Sequence, residues 1–218
     1  MRKFKFTLAI LSGILLSSCA SSYQKIKPES LSYNSNHLEN GVTMEYKYDL
    51  LEKKYAKKED KKDIRLIAVK ITNNGKEDLR FGSDMNIAYE NGSKIVQMET
   101  KKVFSKLKQQ PVYYLLYLLL TPMQVTSTST TNSTVTSNSF PAGLIVGPGL
   151  AGGNLLGASM ANKNFKKELM QYDITGKVIK PGETIYGLVG VRADNYDALR
   201  IQFEKKAEKE EQGNIVAQ

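Results

Sequence analysis

One cysteine and one histidine set narrow limits on the covalent chemistry open to this 218-residue chain. Cys19 is the sole thiol, which excludes an intramolecular disulfide framework and any multi-cysteine metal site. His37 is the sole imidazole, standing between Asn36 and Leu38 in a polar stretch. A catalytic base needs packed neighbours to hold it, so His37 reads as an exposed bystander. Ser22 and Lys25 have the spacing of a Ser-x-x-Lys pair, but they lie in that same polar stretch, without the desolvating pocket such chemistry requires. Gly147-Pro148-Gly149-Leu150-Ala151-Gly152 matches G-x-G-x-x-G in letters, with Asp173 downstream. No βαβ pattern surrounds it, and Pro148 removes a phosphate-facing N–H. Asp194-Asn195-Tyr196-Asp197 has the oxygens of a calcium clip, yet reads more simply as a polar turn. The expectation is no catalytic group, no cofactor and no metal.

The surroundings of Cys19 are more informative. Arg2, Lys3 and Lys5 precede an apolar run from Phe6 to Leu16, which is 11 residues long. That suits the core of a secretory signal and is too short to cross a bilayer as a helix. Ser17, Ser18 and Cys19 follow. Leu16-Ser17-Ser18-Cys19 resembles the lipobox of bacterial lipoproteins. The resemblance implies cleavage after residue 18, diacylation of Cys19 and N-acylation of the new terminus. More than one acyl chain anchors stably where a single chain is marginal. Ala20, with no Asp in its place, implies by the same resemblance the outer membrane, and the absence of an acidic cluster just after it implies the periplasmic side. Loss of the signal lowers the net charge from +9 to +6, which together with the compartment argues against a nucleic-acid partner.

The elements that would follow are mostly strands. Residues 19–38 are rich in Ser, Asn and Lys and read as a tether. Val42, Met44, Tyr46, Tyr48 and Leu50 alternate with polar residues, as in a half-buried strand. The charge run from Glu52 to Asp63 reads as a solvated loop, or less simply as an anionic-lipid patch. Residues 64–71 are apolar on both faces, a central strand. Leu79–Phe81 is a short strand, and Asn91-Gly92 marks a two-residue hairpin between the strands around Ile87 and Ile95. Lys180-Pro181-Gly182-Glu183 is a turn before strands at 185–192 and 199–203. These spacings predict a mainly β fold, an immunoglobulin-like β-sandwich. Ala68 to Gly75 resembles the central hairpin of bacterial immunoglobulin-like domains, which implies fold alone. The sandwich is expected to be discontinuous, 39–108 and 171–205, with residues 109–170 inserted and a charged tail over 206–218.

Within the insertion, the 54 residues from 109 to 162 contain no Asp, Glu, Lys or Arg. At average composition roughly a quarter would be charged. Val112 to Leu120 is continuously apolar between Pro111 and Pro122 and carries Tyr113, Tyr114 and Tyr117. Tyrosines of this kind suit a membrane interface. Thr126 to Ser139 is almost pure Ser/Thr/Asn and reads as a flexible loop. Phe140 to Ala161 is apolar and glycine-rich, with a break expected at Pro148. Gly149, Gly153, Gly157 and Ala161 recur every fourth residue, a smooth helical stripe open to close approach. Lysines flank the whole segment. It reads as a helical cap packed on the sandwich, as a hairpin dipping into one leaflet, or as a helix pair that binds a partner.

The function expected from the sequence is therefore non-catalytic. It is an accessory or scaffold lipoprotein on the periplasmic side of the outer membrane, docking an envelope protein or the membrane through residues 109–162. The alternatives are a hydrolase of cell-wall or glycan material working through carboxylates, and a carrier of a small hydrophobic ligand.

Overall fold

The structure, a computed structural model, describes residues 20, 22–131 and 134–204. The signal segment, Cys19 and the charged tail lie outside the described residues. The chain forms two compact units. Among the described residues, the sheet unit holds Ile26–Leu50, Glu59–Val103 and 169–204; the insertion unit holds 20 and 22–25, Leu51–Lys58, and 104–131 with 134–168. The insertion thus recruits two segments that the sequence reading placed elsewhere.

In the sheet unit, β1 (Ser35–Glu39) and β2 (Val42–Lys47) form a hairpin whose turn is Asn40-Gly41, both at positive φ. That is the backbone an Asn-Gly dipeptide favours between right-twisted strands. Residues 35–38, read from the sequence as the end of a tether, are therefore sheet, and Ile26 and Pro28 are buried upstream. β3 (Ile64–Asn73) pairs with β2 on one side and with β10 (Thr184–Arg192) on the other. With β6 (Val96–Met98) beyond β10, the antiparallel order is β1-β2-β3-β10-β6. The central place of β3 follows from its apolar residues on both faces. β4 (Leu79–Arg80) pairs with β9 (Val178–Ile179), and β5 (Met85–Tyr89) with β11 (Leu199–Phe203). Asn91-Gly92 does turn the chain and closes an antiparallel bridge between Ala88 and Lys94, but β5 and β6 go on into different sheets.

One core joins these sheets. Met44, Ile67, Val69, Ile71 and Val191 face it from the five-stranded sheet, and Met85, Ile87, Leu199 and Ile201 from the β5–β11 pair. Asn73 is buried at the end of β3 with its amide satisfied, donating to the carbonyls of Glu77 and Ile179 and accepting from the Gly75 N–H. On the other face of β10, Gly190 lies under Val103, where an added Cβ would come within 2.2 Å of a valine methyl. Only glycine permits that helix–sheet approach.

The fold is not mainly β. About 34% of the described residues are strand and 33% helix. The charge run that was expected to be loop is helix α1 (Lys53–Lys62). Its buried Tyr55 and Glu59 are four residues apart, while Lys53, Lys57, Lys61 and Lys62 are exposed, a face the charge density obscured. Helix α2 spans Thr100–Leu107. Helix α3 runs unbroken over Gly143–Gln171, with Pro148 inside it. Pro148 sits in the second turn and therefore deletes a single hydrogen bond near the helix start, without bending a long interior.

Candidate docking surface

The apolar run of the insertion is a ten-residue 3-10 helix, Pro111–Leu120. Three residues per turn align every third side chain. Pro111, Tyr114, Tyr117 and Leu120 form the inner row; Val112, Leu115 and Leu118 form a second, and Tyr113, Leu116 and Leu119 a third. Both outer rows are exposed, up to 75% at Leu119. The three tyrosines thus separate. Tyr113 is exposed; Tyr114 is buried and stacks on half-buried Tyr117 with ring centroids 6.5 Å apart. The Tyr114 hydroxyl accepts from Lys54 Nζ at 2.9 Å and donates to Gln109 Oε1. Tyr114 is therefore held inside the unit, whereas Tyr113 is open to contact.

β7 (Val125–Thr131) and β8 (Thr134–Phe140) replace the expected flexible loop with an antiparallel hairpin. Threonine's branched side chain favours this extended backbone even without a hydrophobic pattern. Every β8 residue is exposed, including Val135 and Phe140.

Helix α3 starts against the end of the 3-10 helix. A Cβ at Gly143 would lie 2.1 Å from the Leu120 carbonyl oxygen, and one at Gly147 would lie 2.9 Å from Thr121 Oγ1. These glycines make the close approach that the sequence reading assigned to the stripe downstream. Gly149 and Gly153 instead meet no described atom within 4 Å, Gly157 meets only Ala20, and Ala161 is buried. Ala151, Asn154, Ala158, Asn162 and Phe165 turn inward, while Leu144, Ile145, Leu156 and Met160 are exposed. By length and composition α3 could cross a membrane, and only 28% of its most apolar window is buried.

Polar and aromatic contacts fix this surface from behind. Asn162 Oδ1 accepts from the Gln109 N–H at 2.8 Å and the Tyr55 hydroxyl at 3.1 Å, and its amide donates to the Gln109 carbonyl. Phe165 packs on Tyr55, Tyr23 and Phe104. The Tyr55 phenol is pushed above its ordinary pKa, chiefly by burial. Ala20, the chain neighbour of Cys19, donates its backbone N–H to Asn154 Oδ1, whose amide in turn donates to the Leu150 carbonyl. The residue next to the expected lipid anchor therefore sits on α3. Tyr23 and Ala20 both fall in the segment read as tether, and neither is loose.

The groups weighed for catalysis take structural places. His37 Nδ1 accepts from the Ile201 N–H at 3.2 Å, tying β1 to β11. The Gly147–Gly152 motif lies inside α3, not in a phosphate loop. Ser22 Oγ accepts from Lys53 Nζ. Asn195 donates to Asp197 within its turn, and Tyr196 lies beneath the Arg65 guanidinium, 4.5 Å from ring centroid to carbon. Among the described residues, no group of three or more His, Cys, Asp or Glu is placed to hold a metal ion. Sequence reasoning missed Glu59. It is buried on α1 and accepts the Leu66 N–H at 2.7 Å. Burial raises its pKa from 4.5 to about 7, against the opposing pull of that hydrogen bond and of Arg65. No protein-family model matches this sequence, and no curated protein or solved structure is detectably similar to it.

Proposed function

We propose that this chain is a lipoprotein anchored through Cys19 on the periplasmic side of the outer membrane, with a non-catalytic accessory role. The insertion unit is its docking element, and the sheet unit is an immunoglobulin-like sandwich. The shared core of the five-stranded sheet and the β5–β11 pair supports the sandwich reading. One observation carries the docking reading. The insertion displays Val112, Tyr113, Leu116, Leu119, Leu144, Ile145, Leu156 and Met160 to solvent, in the unit that also fixes Ala20, the residue beside the anchor. Exposed apolar clusters of this kind mark contact surfaces.

The test has two parts. Metabolic labelling with a clickable palmitate should mark the full-length protein and fail with Cys19→Ser. A photo-crosslinking residue placed at Leu119 or Ile145 should capture lipid or an envelope protein, whereas one at Lys94 in the sheet unit should capture neither. Equal capture at all three positions, or none at any, would remove the docking reading.

A further inference from the structure

Charge is divided unevenly between the units. Residues 22–25, 51–58, 104–131 and 134–168 of the insertion unit carry ten lysines against two glutamates. The described residues of the sheet unit carry 15 basic against 17 acidic side chains. The whole basic excess of the described chain thus belongs to the unit that bears the exposed apolar rows.

The fold also gathers lysines that the sequence separates. Lys108 Nζ and Lys166 Nζ, from opposite flanks of the uncharged stretch, lie 5.7 Å and 5.8 Å from the centroid of the Phe104 ring. Lys58 Nζ donates to the Lys108 carbonyl, and Lys54 Nζ lies 5.0 Å from the Tyr114 ring centroid. Lys163, Lys166 and Lys167 are exposed on α3. Lys106, Lys163 and Lys167 make no ion pair with another described residue. Like charges held together repel in the free protein, and an anionic surface relieves that repulsion. A protein interface of the ordinary kind is depleted of lysine. Lysines flanking exposed Leu, Ile and Tyr instead match a phospholipid surface, with apolar groups at the acyl boundary and ammonium groups among phosphates.

We infer that the insertion unit is a reader of anionic phospholipid, and that its occupant is the headgroup layer of the leaflet carrying the anchor. This rests on the docking reading above and names the partner. The test uses the full chain from residue 19 with Cys19→Ser, so that no acyl chain contributes. Its partitioning is measured by co-sedimentation with vesicles of phosphatidylcholine alone, and with a third of the lipid replaced by phosphatidylglycerol. Binding should be roughly tenfold or more tighter to the anionic vesicles, and should weaken as salt is raised. The triple variant Lys163→Gln, Lys166→Gln, Lys167→Gln should lose about tenfold of that binding, and the corresponding Lys→Arg variant should keep it. Glutamine and arginine are both good helix formers at these exposed sites, and matching thermal melts confirm that the fold is intact. Equal binding to both vesicle types, lost on Leu119→Ser, would overturn the charge claim while leaving apolar docking in place. No vesicle binding, with a protein captured at Leu119 and Ile145 in cells, would overturn the lipid partner and leave a protein one. No vesicle binding and no capture would overturn both readings.

Discussion

The two units use large apolar side chains in opposite ways. In the sheet unit, Phe81, Met85, Ile67, Ile71 and Ile201 are sealed in one core, and the exposed surface carries nearly balanced charge. In the insertion unit, Tyr55, Leu107, Ala158 and Phe165 are the most deeply buried side chains, with Tyr114, Asn154 and Asn162 also buried, while Leu116, Leu119, Ile145 and Met160 face outward without a charge among their sequence neighbours. An interior built largely of rings, small residues and amide hydrogen bonds is specific, but it leaves most of the unit's large aliphatic residues exposed. That arrangement costs free energy in water and is favoured where the outer solvent is not water.

Truncation should separate the units most clearly. Phe81→Ala, at 2% exposure, should cost about 3–5 kcal/mol in denaturant unfolding. Leu119→Ala should stay within about 0.5 kcal/mol of the parent, because nothing packs over it to leave a cavity. A loss of several kcal/mol at Leu119 would make the outer row a core and erase the contrast.

The next effect lies inside the sheet unit and depends on pH. Glu59 binds its proton more tightly when folded, with a pKa of about 7 against 4.5. The stability it contributes is fully present below pH 4.5 and is lost as pH rises through 7. The difference is on the order of 3 kcal/mol. Glu59→Gln keeps an acceptor for the Leu66 N–H and removes the titration. The variant should match the parent near pH 4 and exceed it in stability near pH 8 by roughly that amount. A constant difference between parent and variant at both pH values would show that folding leaves the Glu59 pKa unshifted.

Glycine substitutions sharpen the comparison with smaller effects. Gly190→Ala drives a methyl into Val103 and should cost about 1–3 kcal/mol. Gly153→Ala, in open space on α3, should stabilise the protein by up to about 1 kcal/mol. Destabilisation at Gly153 would show that the open stripe is covered by something in solution.

The sequence made some of this legible, for physical reasons. β3, β10 and β11 are long or strictly alternating, so burial alone specifies them. The uncharged stretch stood out because solvation demands charge elsewhere. β1 was hidden because Ser35, Asn36 and Glu39 on an edge strand need no apolar alternation, although Asn40-Gly41 was a usable turn signal. α1 was hidden because one tyrosine and one glutamate carry its buried face. The β7–β8 hairpin owes its form to threonine backbone preference, which composition confuses with a loop. In the candidate surface, the sequence grouped three tyrosines that a 3-10 repeat divides, and it assigned close packing to Gly149 and Gly153 rather than to Gly143 and Gly147. The period of a helix and the identity of its neighbour are both decided by tertiary contact.

The most direct test of the outward apolar row is a solvent-access measurement on the lipidated protein in bilayers. With the only native thiol expected to be acylated, Leu119→Cys and Lys94→Cys each introduce a single labelling site. A fluorophore at residue 119 should be shielded from a water-soluble quencher and reached by a lipid-borne one, while at residue 94 the order should reverse. Equal access of the aqueous quencher to both positions would contradict the account.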